Sequence, residues 1–167
     1  AEAAEALGQP KLWEQAEKAY MEADRLVEAA NALEQRALLT DAKLQAPLFA
    51  QAAELLLKVG DPNGAIDKLE QACQNEPTND QYAQLLEEQY RATGREADLV
   101  TFLLSRGDKL ADKGRRIAAR KAAAELQRSL GDVEGARESL LLVLSDGDDA
   151  DALLQLVDDA ESRSDFQ

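Results

Sequence analysis

The sequence contains no histidine and a single cysteine, Cys73. Without histidine it lacks the most common general base, and one cysteine allows no intramolecular disulfide. The usual structural zinc sites need several Cys or His ligands, so they are excluded as well. We therefore expect no catalytic residue, no metal site and no cofactor. An enzyme or a ligand-gated regulator is the least favoured class, and Cys73 is expected to pack as a small buried residue.

β-Branched residues are also scarce, because Val, Ile and Thr together number 12 against 31 alanines and 27 leucines. This composition favours helix over strand and predicts an all-α protein. No apolar run approaches the roughly 18 residues of a membrane span, so we expect no membrane insertion. The chain has 33 acidic and 19 basic residues, a net charge of −14. Such a chain repels nucleic acid and anionic lipid, and neither is an expected partner.

The N-terminal stretch "AEAAEALG" shows no signal peptide and begins with Ala1. We interpret residues 1–9 as the end of a preceding helix, and the chain as a segment of a longer protein. The expected compartment is the cytoplasm, since nothing in the sequence is typical of a disulfide-stapled secreted domain.

Two stretches 71 residues apart carry the same turn signals, "LLLKVGDPNGAIDKL" and "QRSLGDVEGARESL". In each, a glycine (Gly60, Gly131) ends a helix and the following aspartate caps the next one. Both stretches then continue with Gly-Ala. A further glycine, Gly94, follows Gly60 after 34 residues. The spacing predicts repeated helical hairpins rather than unrelated helices.

A longer period supports this interpretation. "YMEADRLVEAANALEQR" begins at Tyr20, and "YRATGREADLVTFLLSR" begins at Tyr90. Both stretches have Arg five places after the tyrosine, Leu at thirteen and Arg at sixteen. The sequence therefore predicts a super-repeat of about 70 residues that holds two helical hairpins.

A 34-residue hairpin period is that of the tetratricopeptide repeat (TPR). Residues 46–79 resemble one TPR unit, with large and small residues at the family's positions: Phe49, Ala52, Ala53, Leu56, Ala65, Leu69, Ala72 and Pro77. The resemblance implies an all-α, TPR-like α-solenoid of stacked antiparallel helix pairs in a right-handed superhelix. It also implies that Ala53 and Ala65 are buried where paired helices cross closely. An up-and-down helix bundle is the alternative.

The resemblance extends to less regular units at residues 10–45, 80–116 and 117–150, followed by a terminal helix and acidic tail at 151–167. We expect helices near 11–23, 25–40, 47–59, 62–75, 79–93, 96–112, 116–130, 133–145 and 149–162. Each should pack mainly on its neighbours in the chain, so Trp13 should not pack against helix 133–145.

In TPR proteins the first helix of each pair lines a concave surface that binds extended peptides or partner helices. By resemblance, the lining residues here are Lys18, Met21, Gln51, Glu54, Leu57, Lys58, Gln84, Leu85, Glu88, Arg91, Lys121, Glu125 and Arg128. Glu54, Glu88 and Glu125 share one position, which favours basic or amide-bearing side chains on the partner. Each also has a basic residue one turn later, so helix-stabilising ion pairs are the simpler interpretation.

Charge is unevenly distributed along the second half of the chain. Residues 106–121 carry seven bases and two acids, whereas residues 146–167 carry eight acids and one base. The basic segment is interpreted either as a patch for an acidic partner or as a solvated helix junction. The aspartates from Asp146 to Asp151 are expected to cap a helix, with a weak surface calcium contact as the alternative.

We therefore expect a non-catalytic protein–protein interaction scaffold that binds a partner protein or peptide segment on the concave face. The alternative is a structural spacer arm of a larger protein, with no specific ligand.

Overall fold

A computed structural model describes the backbone of residues 10–164 and the side chains of residues 10–161. This part of the chain forms nine α-helices and no strand, as predicted. The helices are α1 (Pro10–Glu22), α2 (Leu26–Leu38), α3 (Ala42–Lys58), α4 (Pro62–Asn75), α5 (Asp80–Ala92), α6 (Glu96–Lys109), α7 (Lys113–Ser129), α8 (Val133–Asp146) and α9 (Ala150–Ser164). The predicted helix end at residues 1–9 lies outside the described residues.

The chain divides into two compact units, Ala1–Gly94 and Arg95–Gln167. The first unit contains α1 to α5 and the second contains α6 to α9. Within each unit, every helix packs against the next one in the chain. The division falls inside the predicted repeat unit 80–116, after its first helix.

The predicted start of α3, near residue 47, was wrong. Instead α3 begins at Ala42, and Pro47 lies inside it. The additional turn starts after Asp41, whose carbonyl accepts the Leu44 N–H at 2.8 Å. The helix therefore tolerates one missing backbone donor near its N-terminus.

A residue with positive φ follows the ends of α1, α3, α5 and α7, two positions after the last helical residue in each case. These residues are Asp24 (56°), Gly60 (76°), Gly94 (69°) and Gly131 (81°). After three of them the next backbone N–H reaches five residues back, as in the Schellman motif: Arg25 to Tyr20, Asp61 to Leu56 and Asp132 to Gln127, all at 2.9 Å. Asp24 therefore occupies the position that glycine occupies after α3, α5 and α7.

We expect Asp24→Gly to stabilise the protein by about 0.5–1 kcal/mol, because glycine adopts the left-handed conformation without the penalty of a Cβ. The converse change, Gly60→Ala, should cost about 1 kcal/mol, since a Cβ there meets no atom within 4 Å and only the backbone is strained. Urea unfolding followed by circular dichroism measures both. Asp24→Ala is the matched control, and equal stability of the glycine and alanine variants would contradict the assignment.

The repeated Gly-Ala pairs have a structural explanation. The carboxylates of Asp61 and Asp132 cap α4 and α8 by accepting the N–H groups of Gly64 and Gly135, both at 2.9 Å. A Cβ on Gly64 would lie 2.4 Å from the Asp61 carboxylate. Glycine at this position therefore lets the capping side chain approach closely.

Two positions of the buried core recur in both units. Ala53, Ala65 and Leu69 are at most 1% exposed between α3 and α4, as predicted for the first two. Ala136 and Leu140 are buried equally well on α8, 71 residues after Ala65 and Leu69. Three further predictions concern single residues. Cys73 is buried, Pro77 follows α4, and Trp13 packs against Ala32 of α2.

Enlarging Ala65 to leucine should destabilise the protein by about 1–3 kcal/mol, the usual cost of overpacking. The physical reason is that Ala65 is 0% exposed and α4 packs on α3 at this place. Thermal unfolding of Ala65→Leu measures the effect, with Gln74→Leu, on the exposed side of the same helix, as the control. If both variants melt like the parent chain, the assigned helix pairing is incorrect.

Candidate functional surfaces

The predicted lining residues of the first unit lie on α1, α3 and α5, and we call them the α1–α3–α5 surface. Leu57 and Leu85 are half-buried and the other eight are exposed. They are Lys18, Met21, Gln51, Glu54, Leu57, Lys58, Gln84, Leu85, Glu88 and Arg91. Their assignment to a partner-binding surface stays a prediction.

Glu54 and Glu88 do not form the helix-stabilising pairs that their spacing suggested. Among the ion pairs of the described residues, none joins Glu54 to Lys58 or Glu88 to Arg91. Glu88 instead accepts a hydrogen bond from the Gln84 amide at 3.0 Å. Lys18, on α1, does pair with Glu14 at 2.9 Å, and this contact lowers the pKa of Glu14. Both Glu54 and Glu88 are exposed to solvent.

Tyr82 of α5 lies close enough to α3 that the Glu54 carboxylate affects the pKa of its hydroxyl. Burial raises the pKa of the Tyr82 hydroxyl, and the nearby Glu76 carboxylate, the Cys73 thiol and the Glu54 carboxylate raise it further. Since Tyr82 is half-buried, it adds an aromatic side chain next to Glu54. The sequence pattern did not single out Tyr82, because its helix position matched no TPR consensus residue.

Polar contacts also join helices of the first unit to one another. Arg36 of α2 donates to Glu17 of α1 at 2.6 Å, and the Tyr90 hydroxyl of α5 donates to Glu70 of α4. Lys68 of α4 pairs with Glu34 of α2, one 34-residue period earlier. Both ion pairs are partly buried, and charge-assisted hydrogen bonds of this kind are stronger than neutral ones.

In the second unit, two predicted partner-binding residues contact the chain itself. Lys121 Nζ lies 3.1 Å from Asp149 Oδ1 and 3.3 Å from Asp151 Oδ2. Arg128 donates to the Gln155 amide oxygen at 2.8 Å and to Asp159 at 2.9 Å. The third predicted residue, Glu125, is exposed on the same helix. Helix α9 therefore occupies the side of α7 that carries Lys121 and Arg128.

Lys121, in the middle of α7, and Asp149, just before α9, influence each other's protonation. Hydrogen bonding to Asp149 raises the pKa of Lys121. The Ala152 N–H, followed by Lys121, lowers the pKa of Asp149. The bond from the Ala152 N–H to Asp149, 2.9 Å long, is a helix cap, which confirms the capping interpretation for Asp149. Asp146 instead lies in α8 and accepts hydrogen bonds from Arg116 and Arg120.

Within the basic segment 106–121, Arg120 is buried, whereas Lys109 and Lys113 are exposed. The interpretation as a solvated patch or junction therefore does not hold for Arg120. Arg120 is 8% exposed and donates to Asp146, to the Leu142 carbonyl and to Asp108. Arg116 shares Asp146 at 2.7 Å. The Arg120 Nε atom is buried without a partner. This cluster ties α7 to α6 and α8.

Sequence reasoning missed this cluster for a physical reason. Arg116 and Arg120 lie one turn apart, a spacing that put them on one helix face. Their partner Asp146 is 30 and 26 residues further on, at the end of α8. Only the packing register of α7 against α8 brings the three together. The opposite charges of the two segments were the available signal.

No group of three or more His, Cys, Asp or Glu residues is placed to hold a metal ion within the part of the chain that the structure describes. None of the helices between residues 10 and 164 is long and apolar enough to cross a bilayer. No family model matches the chain, and no curated protein shows significant similarity to it.

Proposed function

We propose that the chain is a TPR-like α-solenoid that acts as a non-catalytic protein–protein interaction scaffold. Three features of the structure support a repeat origin. Residues with positive φ recur after four helices, equivalent aspartates cap α4 and α8, and buried residues recur 71 positions apart. In such arrays each hairpin buries its apolar face against the next one, and the exposed helix faces are left for recognition.

The partner segment binds to the α1–α3–α5 surface. The observation that carries this proposal is the state of Glu54 and Glu88, which are exposed and make no ion pair with the bases one turn away. Glu54 on α3 and Glu88 on α5 occupy the same position in successive repeat units, so a partner meets the same carboxylate at a fixed spacing. Leu57, Leu85 and Tyr82 supply apolar contact beside them. A segment with basic or amide-bearing side chains complements this chemistry.

Selection from a phage-displayed peptide library on the immobilised chain tests the proposal. We expect enriched peptides that share Lys, Arg, Asn or Gln at a regular spacing and that compete with one another. Substitutions of the exposed residues on α1, α3 and α5 then show whether the peptides bind to the α1–α3–α5 surface. A library that yields no competing peptides would favour the alternative, a spacer arm without a specific ligand.

A further inference from the structure

Helix α9 is held on the second unit by few apolar contacts. Among its described side chains only Ala152 is fully buried, in a cluster with Ala124, Leu140 and Val143. Leu153, Leu154 and Val157 are 44–61% exposed. By comparison, α4 buries five residues from Ala65 to Cys73. Hydrophobic burial therefore contributes less to the docking of α9 than to that of α4.

Ion pairs between α9 and α7 add to these contacts. Asp149 and Asp151 contact Lys121, and Asp159 contacts Arg128 two turns further along α7. These side chains retain between 18% and 77% of their exposure, so solvent and salt screen the pairs. Pairs of this exposure contribute little stability individually. Elements with few buried contacts open more readily than the core around them.

Displacement of α9 uncovers a defined surface, which we call the α7 basic face. It consists of Lys121 and Arg128 on either side of Ala124, with Ile117 and Leu144 packed against the same cluster. Two cations separated by two helical turns, with an apolar strip between them, complement an acidic amphipathic helix. Helix α9 has this chemistry, with acids at both ends of the contact and Ala152 and Leu156 between them.

We propose that the α7 basic face is a second recognition surface, which accepts an acidic amphipathic helix of a partner protein in place of α9. Helix α9 acts as an intramolecular competitor that covers the face until the partner displaces it. The inference is independent of the α1–α3–α5 surface, whose partner is basic.

The probe is a fluorescein-labelled peptide with the sequence of residues 148–164, added to full-length chains. One chain, the release variant, carries Asp149→Asn, Asp151→Asn and Asp159→Asn. Asparagine keeps the helix cap at position 149 while it removes the charge. The charge-matched control chain carries Glu22→Gln, Asp41→Asn and Asp67→Asn, all exposed positions in the first unit.

We expect the release variant to bind the peptide about tenfold more tightly than the parent or the control chain, measured by fluorescence anisotropy. Added Lys121→Glu and Arg128→Glu should abolish this gain, and higher salt should reduce it. Hydrogen exchange should show that α9 loses protection in the release variant while α4 and α8 keep theirs. These results together support a displaceable helix on the α7 basic face.

Two results would overturn the proposal. If α9 stays protected in the release variant, apolar packing alone holds it and it is no competitor. If α9 is released but the peptide does not bind, the face is not a recognition surface. Sedimentation of the release variant without peptide gives a third test. A dimer would mean that a second copy of the chain, and not a separate partner protein, occupies the α7 basic face.

Discussion

Replacement of Asp146 by asparagine is expected to lower the free energy of unfolding by about 3 kcal/mol. Asp146 accepts hydrogen bonds from both Arg116 and Arg120, and Arg120 is only 8% exposed. Asparagine has the same shape, so the change removes the charge without opening a cavity. A buried guanidinium that loses its carboxylate retains its desolvation cost without the compensating attraction. The loss is large because the Arg120 Nε already lacks a partner.

Urea unfolding of three variants measures this effect. Asp98→Asn is the control, since its pair with Arg95 is half-exposed and its loss should cost less than about 1 kcal/mol. The double variant Arg120→Met/Asp146→Leu should recover much of the stability that Asp146→Asn loses, because an apolar pair replaces a buried ion pair. If Asp146→Asn is as stable as Asp98→Asn, the arginine–aspartate cluster is solvated and Arg120 is not buried as described.

Truncation of Phe49 to alanine is expected to cost about 3–5 kcal/mol. Phe49 is the largest of the fully buried side chains and is 2% exposed within α3. Its removal deletes apolar contacts and leaves a cavity that the surrounding helices fill only in part. Since α3 packs on both α2 and α4, the whole first unit should lose stability.

Leu44→Ala is the matched control, because Leu44 lies on the same helix and is 58% exposed. It should change the unfolding free energy by no more than about 0.5 kcal/mol. Thermal unfolding followed by circular dichroism measures the stability of both variants. The fluorescence of Trp13 reports separately on the first unit. A Phe49→Ala chain that unfolds like Leu44→Ala would refute the packing of α3 described here.

Much of the helical organisation could be predicted from sequence because its signals are local. Glycine at positions 60, 94 and 131 marked helix ends, and Asp61 and Asp132 marked helix starts, since each acts within a few residues of itself. Asp24 escaped notice because aspartate in the left-handed conformation carries no comparable sequence signal. The extra turn of α3 before Pro47 was missed because the predicted boundary followed the start of the resembling repeat unit at Ala46.

Contacts across the second unit could not be predicted in the same way. Lys121 and Arg128 were assigned to a partner-binding surface from their places in a repeat, which describe one helix at a time. Their actual contacts depend on where α9 lies, and α9 follows them by about 30 residues. The opposite net charges of the two segments were visible, but charge alone does not specify which residues meet.

The central claim, that the α1–α3–α5 surface recognises a partner segment through its carboxylates, is tested most directly by one binding measurement. The affinity of a library-selected peptide is measured for the parent chain, for Glu54→Gln/Glu88→Gln and for the control Asp41→Asn/Asp67→Asn, at low and high salt. We predict about tenfold weaker binding and a smaller salt dependence for the first variant, with the control unchanged. Equal affinity and equal salt dependence for all three chains would contradict the claim.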